Sequence, residues 1–203
     1  MFQPGGRRVA LLTIAALAIA TGASLAAQPA TSSGHPGHRH AEAPSVHGQS
    51  DDLRRARAAT RRFRDVKVAR AAGYAATGDC AQDPKYGGMG IHYANHALVA
   101  DGRLDITKPE ILVYQPMPSG KLRLGAIEYF QADADQDLAT DADRPYLFGL
   151  PFDGPMLGHE PDMPVHYDLH VWLYRHNPAG RFAMWNPRVH CPDSGAHAPH
   201  SSR

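Results

Sequence analysis

An α+β fold is what this sequence predicts: an N-terminal helix packed on a curved, mostly antiparallel sheet or small barrel. Three observations predict it. Apolar or small residues recur at helical spacing through Leu53, Ala56, Thr60, Phe63, Val66 and Ala69. Two β-rich runs, Ile111–Gln115 and Lys121–Phe130, flank the turn sequence Pro116-Met117-Pro118-Ser119-Gly120 and read as an antiparallel hairpin. Residues 165–174 alternate, with Val165, Tyr167, Leu169, Val171 and Leu173 against His166, Asp168, His170, Trp172 and Tyr174.

The N-terminus precedes this domain. Arg7 and Arg8 stand before an apolar run, Val9–Ala20, too short to span a bilayer comfortably, and small residues lead to a cleavage position after Ala26. Residues 1–26 therefore read as a signal peptide, by the Sec or the twin-arginine route. No cysteine lies near the cleavage point to carry a lipid, so the mature chain is expected in the periplasm or secreted, without a membrane anchor. Residues 27–50 are rich in Pro, Gly, Ser and Ala and carry His35, His38, His40 and His47. They read as a disordered linker, able to catch Cu, Zn or Ni loosely or serving only as a spacer. The single domain is placed at 51–191, and 192–203, with His197 and His200, is a second disordered tail.

Asp51 and Asp52 are the expected start of the helix, because acids favour a helix N-terminus. Its arginines, among them Arg54, Arg55, Arg61 and Arg62, read as a solvated outer face, and Gly73 and Gly78 end it. The formal net charge of +1 offers no global attraction to nucleic acid or an anionic membrane. Cys80 and Cys191 are the only cysteines, and in an oxidising compartment they are expected to pair, with two thiolate metal ligands as the alternative. There is no Gly-x-Ser-x-Gly, so no residue stands out as a nucleophile. Residues 131–164 form a long acidic, then proline-rich loop, of the kind that often serves as a lid or binding loop. Its Asp133-x-Asp135-x-Asp137 start resembles a calcium loop but has Leu138 where glycine is needed and Arg144 where the bidentate acid belongs. Arg181–Trp185 reads as one further strand.

Thirteen histidines are the compositional outlier. Two copies of one phrase carry four of them: Met89-Gly-Ile-His92-Tyr93-Ala-Asn-His96 and Met163-Pro-Val-His166-Tyr-Asp168-Leu-His170. Between them, Glu128 interrupts a strand face otherwise made of Leu122, Leu124, Ala126 and Phe130. A carboxylate on a buried face must be paired, protonated or metal-bound. Residues four apart on a straight strand are roughly 13 Å apart, so His166 and His170 cannot share one ion unless a bulge brings them together. The expected ligand set is therefore His92, Glu128 and His166, with His96, Asp168 and His170 holding ring orientation from behind. Two imidazoles and a carboxylate suit Zn, Cu, Fe or Mn. An enzyme using that metal for hydrolysis or oxygen chemistry is one alternative. A metal-free module is the other, with Tyr93, Trp172 and Tyr174 lining a groove for a small molecule. A sheet face alternating only because one side is wet would need no site at all.

The segments Gly88–Tyr93, Leu104–Glu110 and His166–Leu173 resemble an exported, functionally uncharacterised bacterial protein family over most of residues 55–191. Lys121–Tyr129 is similar to a segment of the oil-body-associated protein family, whose members carry a His-Tyr before a Gly-x-Glu-Tyr. The Trp-His-x-His segment of that family is missing here. Neither resemblance implies a reaction.

Overall fold

The computed structural model describes residues 46–159 and 162–192. The expected signal peptide, the linker as far as residue 45 and the tail from residue 193 lie outside the described residues. The first helix, α1 (Val46–Thr60), begins five residues before the expected Asp51, so the end of the segment read as linker is helical. Asp51 and Asp52 instead pair with Arg54 and Arg55 one turn on. The helix does not run through to Ala72. It tightens into a 3₁₀ turn at Arg61–Arg64 and restarts as α2 (Val66–Ala71), capped by Asp65, whose side chain accepts from Lys67 N at 2.9 Å. The buried Thr60 hydroxyl donates back to the Ala56 carbonyl at 2.7 Å, and the Tyr114 hydroxyl donates to the Phe63 carbonyl at 2.5 Å. Both bonds draw main-chain carbonyls away from a continuous helix. Gly73, at φ +94°, closes the element as expected.

The strands follow: β1 (Ala75–Ala76), β2 (Ala81–Asp83), β3 (Gly87–Ala94), then a short helix α3 (His96–Asp101), and the hairpin β4 (Ile111–Pro116) and β5 (Leu122–Ala132). The long loop carries β6 (Tyr146–Leu147), paired only with β7 (Leu150–Pro151), then β8 (Asp153–Met156) and β9 (His166–Val171). Seven strands form one antiparallel sheet in the order β1-β3-β4-β5-β9-β8, with β2 also on β3. The sheet is open among the described residues, so of the two expected forms the helix-plus-sheet one is present and not a closed barrel. Arg181–Trp185 forms turns, not a strand, and one isolated bridge joins Gly88 to Asn186.

Each sheet face has its own buried cluster. On the helix side Ala56, Phe63, Leu112, Tyr114, Leu124, Ile127, Tyr129, Leu169 and Val171 pack together. On the other side sit Ala94, Ile111, Val113, Ala126, Phe130, Trp172 and Val189. The phase between them depends on a β-bulge in β5. Val113 pairs with Ala126 but Tyr114 pairs with Leu124, which leaves Gly125 as the extra residue. Leu122 and Leu124 therefore lie on the helix side and do not share a face with Glu128, contrary to the strict alternation read from sequence. A side chain at Gly125 would come within 3.3 Å of the Trp172 ring, and its carbonyl accepts from Tyr174 and Arg175 N–H.

Cys80 and Cys191 form a disulfide, with Cα atoms 5.6 Å apart. It ties the segment after β9 to β2, where Cys191 N also donates to Gln82 Oε1 at 2.5 Å.

Candidate metal centre

Position in the sheet decides which polar residues meet. Glu128 in β5 stands directly opposite His170 in β9. His92 in β3 faces Val113 in β4, which faces Ala126 in β5, one same-face step from Glu128. Val113 and Ala126 are short, so the His92 ring can lean across them. The result is a single carboxylate oxygen touching two imidazoles. Glu128 Oε2 lies 3.2 Å from His92 Nε2 and 3.3 Å from His170 Nε2. The two rings are nearly perpendicular, with centroids 5.9 Å apart. Gly90 brings the first copy of the phrase into place. Its φ of +123° and the Tyr114 carbonyl, 2.5 Å from where a Cβ would stand, leave room only for glycine.

The set is buried but not sealed. The Glu128 and His170 side chains are 4 % and 1 % exposed, and that of His92 is 15 % exposed. Glu128 Oε2 and both ring nitrogens of His170 lack a directed hydrogen bond. The carboxylate nearest His170 Nδ1, Asp168 Oδ1, is 3.7 Å away and is itself unpaired. Buried polar atoms in native proteins are almost always satisfied, so this group is incomplete as it stands. Burial alone would push the Glu128 carboxyl up, but the facing imidazoles of His170 and His92 outweigh it and hold it well below its ordinary range. Burial likewise opposes charge on His170, yet the carboxylates of Glu128 and Asp168 raise its pKa.

One ligand atom from each of His92, Glu128 and His170 lies within 4.8 Å of the others, an arrangement that can hold a metal ion; it is the only such trio among the described residues. A tetrahedral zinc with bonds of about 2.0–2.2 Å has ligand atoms about 3.3–3.6 Å apart, close to the two contacts to Oε2. The donor set is therefore compatible with such an ion.

His166 is not in this trio, although it was the expected ligand. The register sets it opposite Ala132, four residues along β5 from Glu128 and thus roughly 13 Å down the strand. Its ring stacks on Phe130 at 5.0 Å, its Nδ1 sits 3.1 Å from the Pro164 carbonyl, and its buried Nε2 is unpaired. Burial pushes that imidazole down, toward the neutral form. His170, expected as a supporting residue, occupies the ligand position instead. Asp168 stands behind His170, whereas His96 is exposed at the first position of α3. His159 was not singled out from sequence. Its ring lies 5.5 Å from that of His166, and no phrase or spacing marked it.

Tyr93, Trp172 and Tyr174 do not line one groove. Tyr93 is buried on the helix side, where Arg70 donates to its hydroxyl at 3.0 Å, and the Tyr174 hydroxyl meets Thr60 and the Arg57 carbonyl. Trp172 belongs to the opposite face and donates to the Ala183 carbonyl at 2.7 Å. Trp172 and the two tyrosines therefore lie on opposite sides of the sheet. No helix among the described residues is long and apolar enough to cross a membrane.

No protein-family model, no curated protein and no solved structure matches this chain.

Proposed function

We propose that the protein is an exported metal-binding protein whose ion is held by His92, Glu128 and His170. One observation carries the reading: Glu128 Oε2 sits between two imidazole nitrogens, in a buried site where it and His170 have no directed hydrogen bond. Two neutral imidazoles and one carboxylate suit Zn, Fe, Mn or Cu, and three protein ligands leave room for water or a substrate on the metal. The partly exposed His92 edge supports access from solvent. That edge also favours a second reading, a metal-dependent hydrolase or oxygenase in which the ion polarises a bound oxygen. Export rests on the signal-like residues 1–26, and the disulfide fits an oxidising compartment. The resemblance to an exported bacterial family belongs to the same reading.

The test is elemental analysis of the purified mature protein, with and without residues 35–47. One equivalent of metal that survives loss of the segment is expected. Metal that disappears with the segment, or no metal after reconstitution with each candidate ion, would overturn the proposal.

A further inference from the structure

A second pair of imidazoles lies on the same sheet face as the trio but apart from it. His166 is fully buried, and its two ring nitrogens have different surroundings. Nδ1 is 3.1 Å from the Pro164 carbonyl, which can only accept, so Nδ1 carries the ring proton. Burial favours the neutral ring, in which Nε2 presents a lone pair. That atom is buried and has no hydrogen-bond partner. One nitrogen tied to a main-chain carbonyl and the other left as a bare lone pair is how metal-binding histidines are commonly held.

The ring that meets it is His159, from the loop between β8 and β9. The two centroids are 5.5 Å apart, with the planes at 61°. Gly158 sets this loop: a Cβ there would stand 2.1 Å from the Met163 carbonyl, so the chain doubles back tightly beside His159. Two imidazoles on one tetrahedral zinc, with bonds of about 2.0–2.1 Å, have ring centres about 5.2 Å apart. The observed separation is close to that, and shorter than the 5.9 Å between His92 and His170. On its other contact the His166 ring stacks on Phe130, which offers Nε2 no polar partner.

We propose that His159 and His166 form a second metal site, which takes a borderline divalent ion, zinc, through two imidazole nitrogens and completes its shell with water. Nitrogen donors suit such an ion and not a hard one such as calcium. Two protein ligands hold it more weakly than three, so the pair fills after His92, Glu128 and His170. The sites are separate, because His166 stands four residues from His170 along a regularly paired strand, too far for one ion. His159 is exposed, so the pair is open to solvent where the trio is nearly sealed.

The experiment is long-range proton–nitrogen NMR of the imidazoles in the chelator-stripped mature protein, titrated with zinc. In wild type, Nε2 of His166 and one nitrogen of His159 should move together, with a common midpoint above that of the trio. In Glu128→Gln the same movement should persist, so failure of the trio and failure of the pair are read separately. The wild-type titration decides alone should that variant misfold. His159→Ala should weaken the His166 response by at least about tenfold, the loss seen when even a supporting group is removed from a metal site. A His166 Nε2 that stays fixed at millimolar zinc, moves without His159, or responds equally in His159→Ala would overturn the proposal in favour of a lone pair satisfied by water.

Discussion

Glu128 and His170 are cross-strand partners, and the carboxylate Oε2 of one lies 3.3 Å from the Nε2 of the other. Their apposition yields a sharp mutational contrast. Glu128→Gln and His170→Ala should each weaken core metal binding by about a hundredfold or more, since each removes a direct ligand. His166→Ala, on the same strand and equally buried, should leave affinity within about tenfold of wild type. Isothermal titration with zinc distinguishes the three. A His166→Ala loss as deep as that of His170→Ala would return His166 to the ligand set.

Metal binding should also strengthen with pH. The raised pKa of His170 means that the metal-free site holds a proton on that ring at neutrality. An ion must displace it, so affinity should increase by up to about tenfold per pH unit across the neutral range. Proton release measured in buffers of different ionisation enthalpy checks this. A flat profile would mean that His170 is already neutral before the ion arrives.

Glu110 predicts a second pH effect, on stability. It is 1 % exposed, one of its oxygens is unpaired, and burial pushes its carboxyl up to about 8. The folded state therefore keeps a proton that the unfolded chain releases near pH 4.5. Between those values the native state binds more protons, so stability should fall as pH rises, by on the order of a few kcal/mol at pH 8. Glu110→Gln should flatten that fall. Denaturant midpoints measured from pH 5 to 8 give the comparison, and an unchanged slope in the variant would assign the pH effect to another group.

Loss of the disulfide should be costly. The bridge closes a loop across 111 positions, and the chain-entropy model puts its contribution at roughly 4–5 kcal/mol. Chemical denaturation of the Cys80→Ser/Cys191→Ser double variant should show a loss of that order. A change below about 1 kcal/mol would mean that the other contacts of the C-terminal segment suffice.

Much of the architecture was legible in the sequence. The hairpin, the alternating last strand and the cysteine pair depend on local pattern and redox chemistry, and all are present, although the last strand ends at Val171 and not at Tyr174. The break after Thr60 was hidden, because the hydrogen bond at Phe63 comes from the Tyr114 hydroxyl, far along the chain. At the site, Glu128 stood out as an acid on an apolar strand, and His92 as the head of a repeated phrase. The choice between His166 and His170 could not be made locally. It depends on which residue of β9 lies opposite Glu128, and register is fixed by the whole sheet. His159 gave no signal, since a lone histidine in a proline-rich loop resembles many others.

The additional residue at Gly125 resolves a conflict written into β5. Leucines 122 and 124 belong under the helices, while the acid four to six positions later belongs among the imidazoles, and an unbroken zigzag would send all of them the same way. By slipping one position midway, a single ribbon supplies grease to one layer and charge to the other.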